Sequence, residues 1–534
     1  MSKQKATESV RLTLKSARMA EVATVLCLTA FYLYIASLVI GISFRDDTDY
    51  LRSGVLVNRF SFLSMQEWTP LYAVWFKLLA LFCPNPVWRY FLSWGLLASL
   101  IAVLPAWMKM PGAWAYTFLI LCFPFLTVSP YVSLFAAAIL LLGLCLVLRG
   151  RPSMSGALAA ACGVCFVVGF CRPEFDYGVF LSAIGTIAAL VVELVVGRRR
   201  GRPGGLEGAR SSSRRSAIAK GLAVVCLAGA MGYVLAHTEN NRSGIAFAQH
   251  YSVRASERGL VPKGDAAWNS DYTERTFGID TTHDATHGTA SIADFARAKP
   301  GLFLRHILTN LSDSRTLFFL PLVLAVGLLP WLREELRPLR AASAFFLMVS
   351  VPPLVDIVAI YPRDHYAILL VPVLILLAVQ LAKPLLRERP PVPWVLAAGF
   401  ALIWFLTFHR QHQTAPGSAL TGERLNLRRV QCARSVDQAA VSPNSAILDA
   451  AQIPAIYLVH PRTSTAPGTL PDWAGFKAWA VQTRPAWISV DADLATQYWV
   501  TPMQLDEFLQ DDMGYTAHPC PAEAQLAIYT NGDR

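Results

Sequence analysis

Long apolar runs alternate with short polar, mostly basic breaks along most of the chain. A helix that crosses a bilayer needs about 20 mostly apolar residues. By that measure the pattern predicts about eleven spans. They lie near 22–42, 88–107, 112–128, 131–148, 154–171, 176–197, 217–236, 316–332, 341–360, 365–382 and 393–409. The apolar run 70–83 is shorter and has Pro70 and Pro84 at its ends, which suits a helix lying in the membrane interface. Met1 to Arg18 is polar and basic, and no small-residue cleavage site follows the run Val22 to Ile42. That predicts a retained first span and not a removable signal peptide.

The long connection 237–315 holds Ser291-Ile-Ala-Asp294, a capping-box start, and Pro300 at a first helical position. Leu302, Phe303, His306, Ile307, Asn310 and Leu311 then follow at helical spacing. Two short helices on the membrane surface are expected there. From about 411 to 534 the pattern changes again. Short β-type runs stand at Ala446–Asp449, Ile456–His460, Trp487–Asp491 and Leu526–Thr530, with helical patterns at 472–483 and 502–513. Alternating strands and helices predict a small α/β domain with its own core. The division is thus residues 1–410 as a transmembrane domain and 411–534 as a soluble domain.

Composition strengthens the membrane reading. Hydrophobic residues make up 54% and charged residues 16%, with a mean hydropathy of +0.41, where soluble domains carry about 25% charged residues. The net charge of +11 does not point to nucleic acid, because the basic residues sit in loops between apolar runs. They are Lys109; Arg149 and Arg151; Arg198 to Arg200 through Arg214, Arg215 and Lys220; Arg333, Arg337 and Arg340; and Lys383, Arg387 and Arg389. With the N-terminus in the cytoplasm, every one of these loops is cytoplasmic, as the positive-inside bias requires. The loops 43–87 and 237–315, the turn 172–175 and the tail then face outward. The expected place is a bacterial inner membrane, multi-pass, with a periplasmic C-terminal domain. Trp88, Trp107, Trp331 and Trp404 fit an interfacial belt. Of the ten cysteines, only Cys432 and Cys520 lie in the tail, where an oxidising compartment permits a disulfide. No P-loop, dinucleotide-binding fingerprint, zinc spacing or repeat is present in the sequence.

The polar residues that bear on chemistry stand at the outward ends of the spans. Arg45, Asp46, Asp47, Asp49 and Tyr50 follow the first span. Adjacent carboxylates repel unless paired or metal-bound. They fit either a general base with a divalent cation (Mg or Mn) or a solvated turn. Arg172, Pro173 and Glu174 break two spans, either to hold a charged substrate group or as a salt-bridged interfacial pair. Arg363, Asp364 and His365 break two more. Arg363 has the forked geometry for phosphate, and a plain polar turn is the other reading. His283 and His287 have metal-ligand spacing but lie in a Gly- and Thr-rich stretch that reads as loop.

In order and sidedness these motifs resemble GT-C-type glycosyltransferases, the polytopic enzymes that use polyprenyl-phosphate-linked sugars. The resemblance rests on Arg45-Asp46-Asp47-Thr48-Asp49-Tyr50, on Trp68-Thr69-Pro70-Leu71-Tyr72, on Arg172-Pro173-Glu174, and on Arg363-Asp364-His365-Tyr366 with Pro372. The segment Lys299 to His306 is similar to one found in protein O-mannosyltransferase-like members. The likeness covers most of residues 20–410. It implies a GT-C-like helical membrane fold. It also implies a polyprenyl-phosphate-sugar donor, a lipid or polysaccharide acceptor of the cell envelope, and inverting displacement. The acidic motif of the first outward loop would supply the base, Asp47 with Asp46 beside it. Arg45, Tyr50, Arg172, Glu174, Arg363, Asp364 and His365 would bind substrate. The extra Asp49 and Arg45 depart from the shorter family motif. A flippase for lipid-linked saccharides and a non-catalytic assembly protein are the rival readings. The first would need polar residues along a path through the membrane.

Overall fold

The computed structural model describes residues 19–34, 36, 70–83, 86–121, 126, 131–200, 207–236, 242–261, 270–279, 290–386, 428–429, 431–433, 435–436, 447–449, 472–491, 500–522 and 526–531. Apolar runs become helices because hydrocarbon offers the backbone no partner outside its own segment. In chain order these are α1 (Met19–Tyr34), α2 (Pro70–Leu79), α3 (Pro86–Trp107), α4 (Ala113–Leu121), α5 (Val132–Gly150), α6 (Met154–Gly169), α7 (Asp176–Arg200) and α8 (Glu207–Ala236). After a run of shorter helices come α13 (Ser314–Leu332), α14 (Arg340–Ala359) and α15 (Asp364–Leu386). Among the described residues, seven segments are long and apolar enough to cross a membrane: Trp88–Trp107, Val132–Gly150, Pro173–Val195, Ser216–Leu235, Ser314–Leu332, Glu334–Ala359 and Asp364–Pro384. The protein is therefore multi-pass and helical. The expected span 393–409 lies outside the described residues, and so does much of the C-terminal half of 112–128.

Helix α15 is the centre of the bundle, with 78% of its apolar window buried, against 11% for α8 at the periphery. It packs on α5, α14 and α4, while α6 packs on α7 and α14. Small residues set the closest approaches, as expected where helices pack without a hydrophobic driving force. A Cβ at Gly143 would lie 2.7 Å from Val164 and 2.8 Å from Phe345, so α5 meets α6 and α14 at glycine. Pro352 and Pro353 interrupt the ladder of α14, and the Tyr177 hydroxyl of α7 donates to the Pro352 carbonyl at 3.0 Å.

Short turns make neighbouring helices antiparallel, so the bundle has two chemically distinct ends. One carries Lys109, Arg149, Arg151, Lys220, Arg333, Arg337, Arg340 and Lys383. There Ser153 caps α6, and Glu193 of α7 accepts from the Ser155 backbone N–H at 2.9 Å and from its hydroxyl at 2.8 Å. The other end carries the turns 170–175 and 360–363. Helix α2 sits beside the first of these, its Leu71 N–H donating to the Phe170 carbonyl at 3.1 Å.

A helical cover lies over this second end. It comprises α9 (Arg242–Glu257), α10 (Asp271–Phe277), α11 (Ile292–Ala298) and α12 (Pro300–Leu311). The predicted capping box is formed: the Asp294 carboxylate accepts from the Ser291 N–H at 2.8 Å. Pro300 opens α12. Helices α9 and α10 add to the two expected. Phe247, Phe277 and Phe295 form the cover's own core, with ring centroids 4.8–5.7 Å apart, distances at which aromatic pairs attract.

The C-terminal region forms a four-stranded sheet of β1 (Ile447–Asp449), β2 (Trp487–Asp491), β3 (Tyr515–Pro519) and β4 (Leu526–Asn531), in the order β1-β2-β4-β3. Strands β1 and β2 are parallel, Ile447 opposite Trp487, with α16 (Trp473–Thr483) between them in sequence. Strand β4 pairs antiparallel with both β2 and β3. Strand β3 was not foreseen, and the expected strand 456–460 lies outside the described residues. Helix α17 (Pro502–Glu507) continues into a π-turn over Phe508–Asp512. Cys432 and Cys520 form a disulfide.

Candidate functional site

The turns around Arg172 and Arg363 are far apart in sequence but meet at one end of the bundle. Cys171 ends the apolar run of α6, and Pro173 starts a tight turn that leads directly into α7. This places Arg172 against the first turn of α15. Its guanidinium lies 5.4 Å from the centre of the Tyr366 ring, a cation–π distance. Arg172 is only 6% exposed, and its Nε donates to Glu174 Oε1 at 2.5 Å. The sequence leaves open a substrate contact or a salt-bridged pair; in the structure the pair is made. Arg363 stands in the turn before α15, two residues ahead of His365. The turns of Arg172 and Arg363 thus meet beside His365 and Tyr366, both buried, with ring centroids 4.3 Å apart. Asp364 is exposed instead, 3.8 Å from Arg315.

Two carboxylates that the sequence reading did not single out complete this lower layer. Asp356 of α14 is buried within reach of the charges of Arg172 and Glu174. Asp176 is 7% exposed, and its Oδ1 has no hydrogen-bond partner among the described residues. A Cβ at Gly169 would lie 2.5 Å from that oxygen, so the glycine leaves the carboxylate its room. A lone charged residue inside an apolar run is itself a functional signal, and Val355-Asp356-Ile357 carries it.

The upper layer comes from the cover. His306 Nε2 donates to the Ile360 carbonyl at 2.8 Å, and Asn310 Nδ2 donates to the Val358 carbonyl at 3.0 Å. These bonds clamp α12 onto the end of α14 and the turn that carries Arg363. Arg254 of α9 pairs with Asp313 at 2.7 Å and with Glu257 at 2.7 Å, and lies 4.5 Å from the centre of the Tyr361 ring. The Tyr361 hydroxyl donates to Glu257 at 2.5 Å. Burial, helped by Glu257, pushes this phenol up to about 12. Burial and the nearby Arg363 push His250 down to about 3. Burial, with Arg254 and Arg258, pushes His306 down to about 4, although its bond to Ile360 opposes this. Both imidazoles are neutral at pH 7. His250 escaped the sequence reading because it falls in a stretch too polar to register as an apolar helix.

Chemically, this end offers arginines to hold an anion, buried carboxylates, and neutral imidazoles under a cover. Arg45, Asp46, Asp47 and Tyr50 lie outside the described residues, as do His283 and His287. Among the described residues no group of three or more His, Cys, Asp or Glu side chains could hold a metal ion. Asp46 and Asp47, the candidate ligands of a divalent cation, are not among them. Comparison of the chain with descriptions of protein families, with curated proteins and with solved structures gave no match.

Proposed function

We propose that this chain is a membrane glycosyltransferase of GT-C type. It moves a sugar from a polyprenyl-phosphate donor to a lipid or polysaccharide acceptor of the cell envelope. The observation that carries the reading is that buried Arg172 packs on Tyr366 at the turn that carries Arg363 and His365, at one end of the bundle. That place suits a lipid-linked anion, whose phosphate meets guanidinium while its prenyl tail stays in hydrocarbon. Phosphate can take Glu174's place on Arg172, and Arg363 approaches from the other turn. In the displacement, the acceptor oxygen bonds to the anomeric carbon as the bond from that carbon to the phosphate oxygen breaks. Asp47, with Asp46 beside it, takes the hydroxyl proton, and polyprenyl phosphate leaves. The basic loops at the opposite end support a periplasmic site in a bacterial inner membrane, with the N-terminus cytoplasmic.

The flippase reading gains little here. Asp176 is the first residue of α7 and Asp356 stands near the end of α14, so these carboxylates mark one end and no path across. The test is transfer in membranes supplied with lipid-linked sugar. Asp47→Asn is expected to cut the rate by about 100-fold or more, the usual loss for a general base. Transfer near the wild-type rate would remove Asp47 from that role.

A further inference from the structure

A second basic site lies on the aqueous side of the cover. Helices α9, α10 and α12 enclose an open pocket lined by Tyr251, Arg254, Arg258, Tyr272, Arg305 and His306. Two of the lining rings, Tyr251 and Tyr272, lie nearly parallel, 6.4 Å apart with 19° between their planes. The arginines differ in how they are balanced. Arg254 is neutralised by Glu257 and Asp313. Among the described residues Arg258 donates to the uncharged Thr309 hydroxyl, at 2.9 Å, and no carboxylate pairs with Arg258 or Arg305. Both sit in exposed positions at the mouth and both act on the Tyr251 phenol. The pocket therefore sets two forked cations, with no carboxylate partner among the described residues, beside tyrosine rings.

We infer that this pocket binds an acidic saccharide unit, a uronate or a phosphorylated sugar. The sugar's apolar face lies on the tyrosines, and its anionic group is held between Arg258 and Arg305. A guanidinium meets a carboxylate or phosphate in two-pronged fashion, while a pyranose ring offers a flat C–H face to an aromatic ring. The choice of a saccharide over another flat anion rests on the glycosyltransferase reading. The pocket shares His306 with the lower site, and His306 bonds to Ile360 at the start of the turn that holds Arg363. His306 thus joins this pocket to the turn of the proposed transfer site, and the inference names the acceptor class as acidic.

The test is calorimetric titration of the purified full-length protein in nanodiscs. The probes are a galacturonate tetramer and neutral maltotetraose, each at low and high salt. Binding of the acidic tetramer is expected, at least 10-fold tighter than the neutral one and weakened by salt. The Arg258→Gln/Arg305→Gln variant should weaken it 10-fold or more, and Tyr272→Ala should weaken it with less effect on salt dependence. Unchanged unfolding temperatures would show that the variants remain folded. Equal affinity for both probes, no binding, or wild-type affinity in the double variant would overturn the inference. The readout needs no turnover, so the two readings fail separately. Transfer without acidic binding overturns only the acceptor class. Acidic binding in a chain that transfers nothing overturns only the enzyme.

Discussion

At the residue scale, His250 and His306 set a pH dependence that runs in one direction. Their folded values are pushed down to about 3 and about 4 from the ordinary 6.5. Below about pH 6.5 the unfolded chain takes up protons that the folded chain refuses. Their stabilising effect is therefore complete above that pH and is lost as pH falls toward the folded values. Each group contributes at most about 1.4 kcal/mol per pH unit in that window. The unfolding temperature should fall between pH 6.5 and 4.5, and the slope should flatten in the His250→Gln/His306→Gln variant. An unchanged slope would place the titration elsewhere. The Arg172–Glu174 pair admits a sharper test. Glu174→Ala takes the paired carboxylate from a buried guanidinium and should cost about 3–5 kcal/mol. Replacing both residues together, Arg172→Met with Glu174→Leu, should restore much of that stability, because an apolar pair avoids desolvation. If Arg172 serves only the fold, the double variant keeps transfer; the account expects transfer to be lost. Arg172, Glu174, Arg363 and His365 were legible because charge at the end of an apolar run stands out. Asp356 was not, being a single letter inside a span, although burial in hydrocarbon is what gives such a letter meaning.

At the element scale, seven of the eleven expected spans were legible to within a few residues, because length and hydropathy decide them in a bilayer. Met154–Gly169 is shorter than a span, and 22–42, 112–128 and 393–409 lie wholly or partly outside the described residues. The capping box at Ser291 was legible because its chemistry is local. Helices α9 and α10 were not, since they are held by Phe247, Phe277 and Phe295 meeting across distant segments. Strand β3 was hidden by its mixed composition and its single fully buried residue, Tyr515; it forms by pairing with β4. One glycine carries the cover. A Cβ at Gly244 of α9 would lie 1.7 Å from the Ala290 carbonyl oxygen, a backbone atom that no side-chain rotation can move. Gly244→Ala should therefore loosen α9 from the start of α11, seen as faster hydrogen exchange in α9 and α11 with the bundle helices unchanged. Phe247→Ala should act on the same unit by leaving a cavity, at about 3–5 kcal/mol. Uniform exchange across both layers would mean that the cover has no stability of its own.

At the scale of the whole molecule, sorting of charge between the two ends is what links fold to function. Short basic loops fill one end, and the Arg172 and Arg363 turns, with their cover, fill the other. The sequence announced that sorting, because parity of the spans assigns each loop to a side. It could not announce which turns touch, since that depends on α15 lying centrally against α5 and α14. The central claim is that the Arg172–Arg363 end receives the phosphate of a lipid-linked donor. A structure of the protein in nanodiscs with a polyprenyl phosphate bound tests this most directly. The account predicts the phosphate within hydrogen-bond distance of Arg363 or Arg172, next to His365 and Tyr366. A phosphate held instead at the opposite end, among Arg333, Arg340 and Lys383, would contradict it.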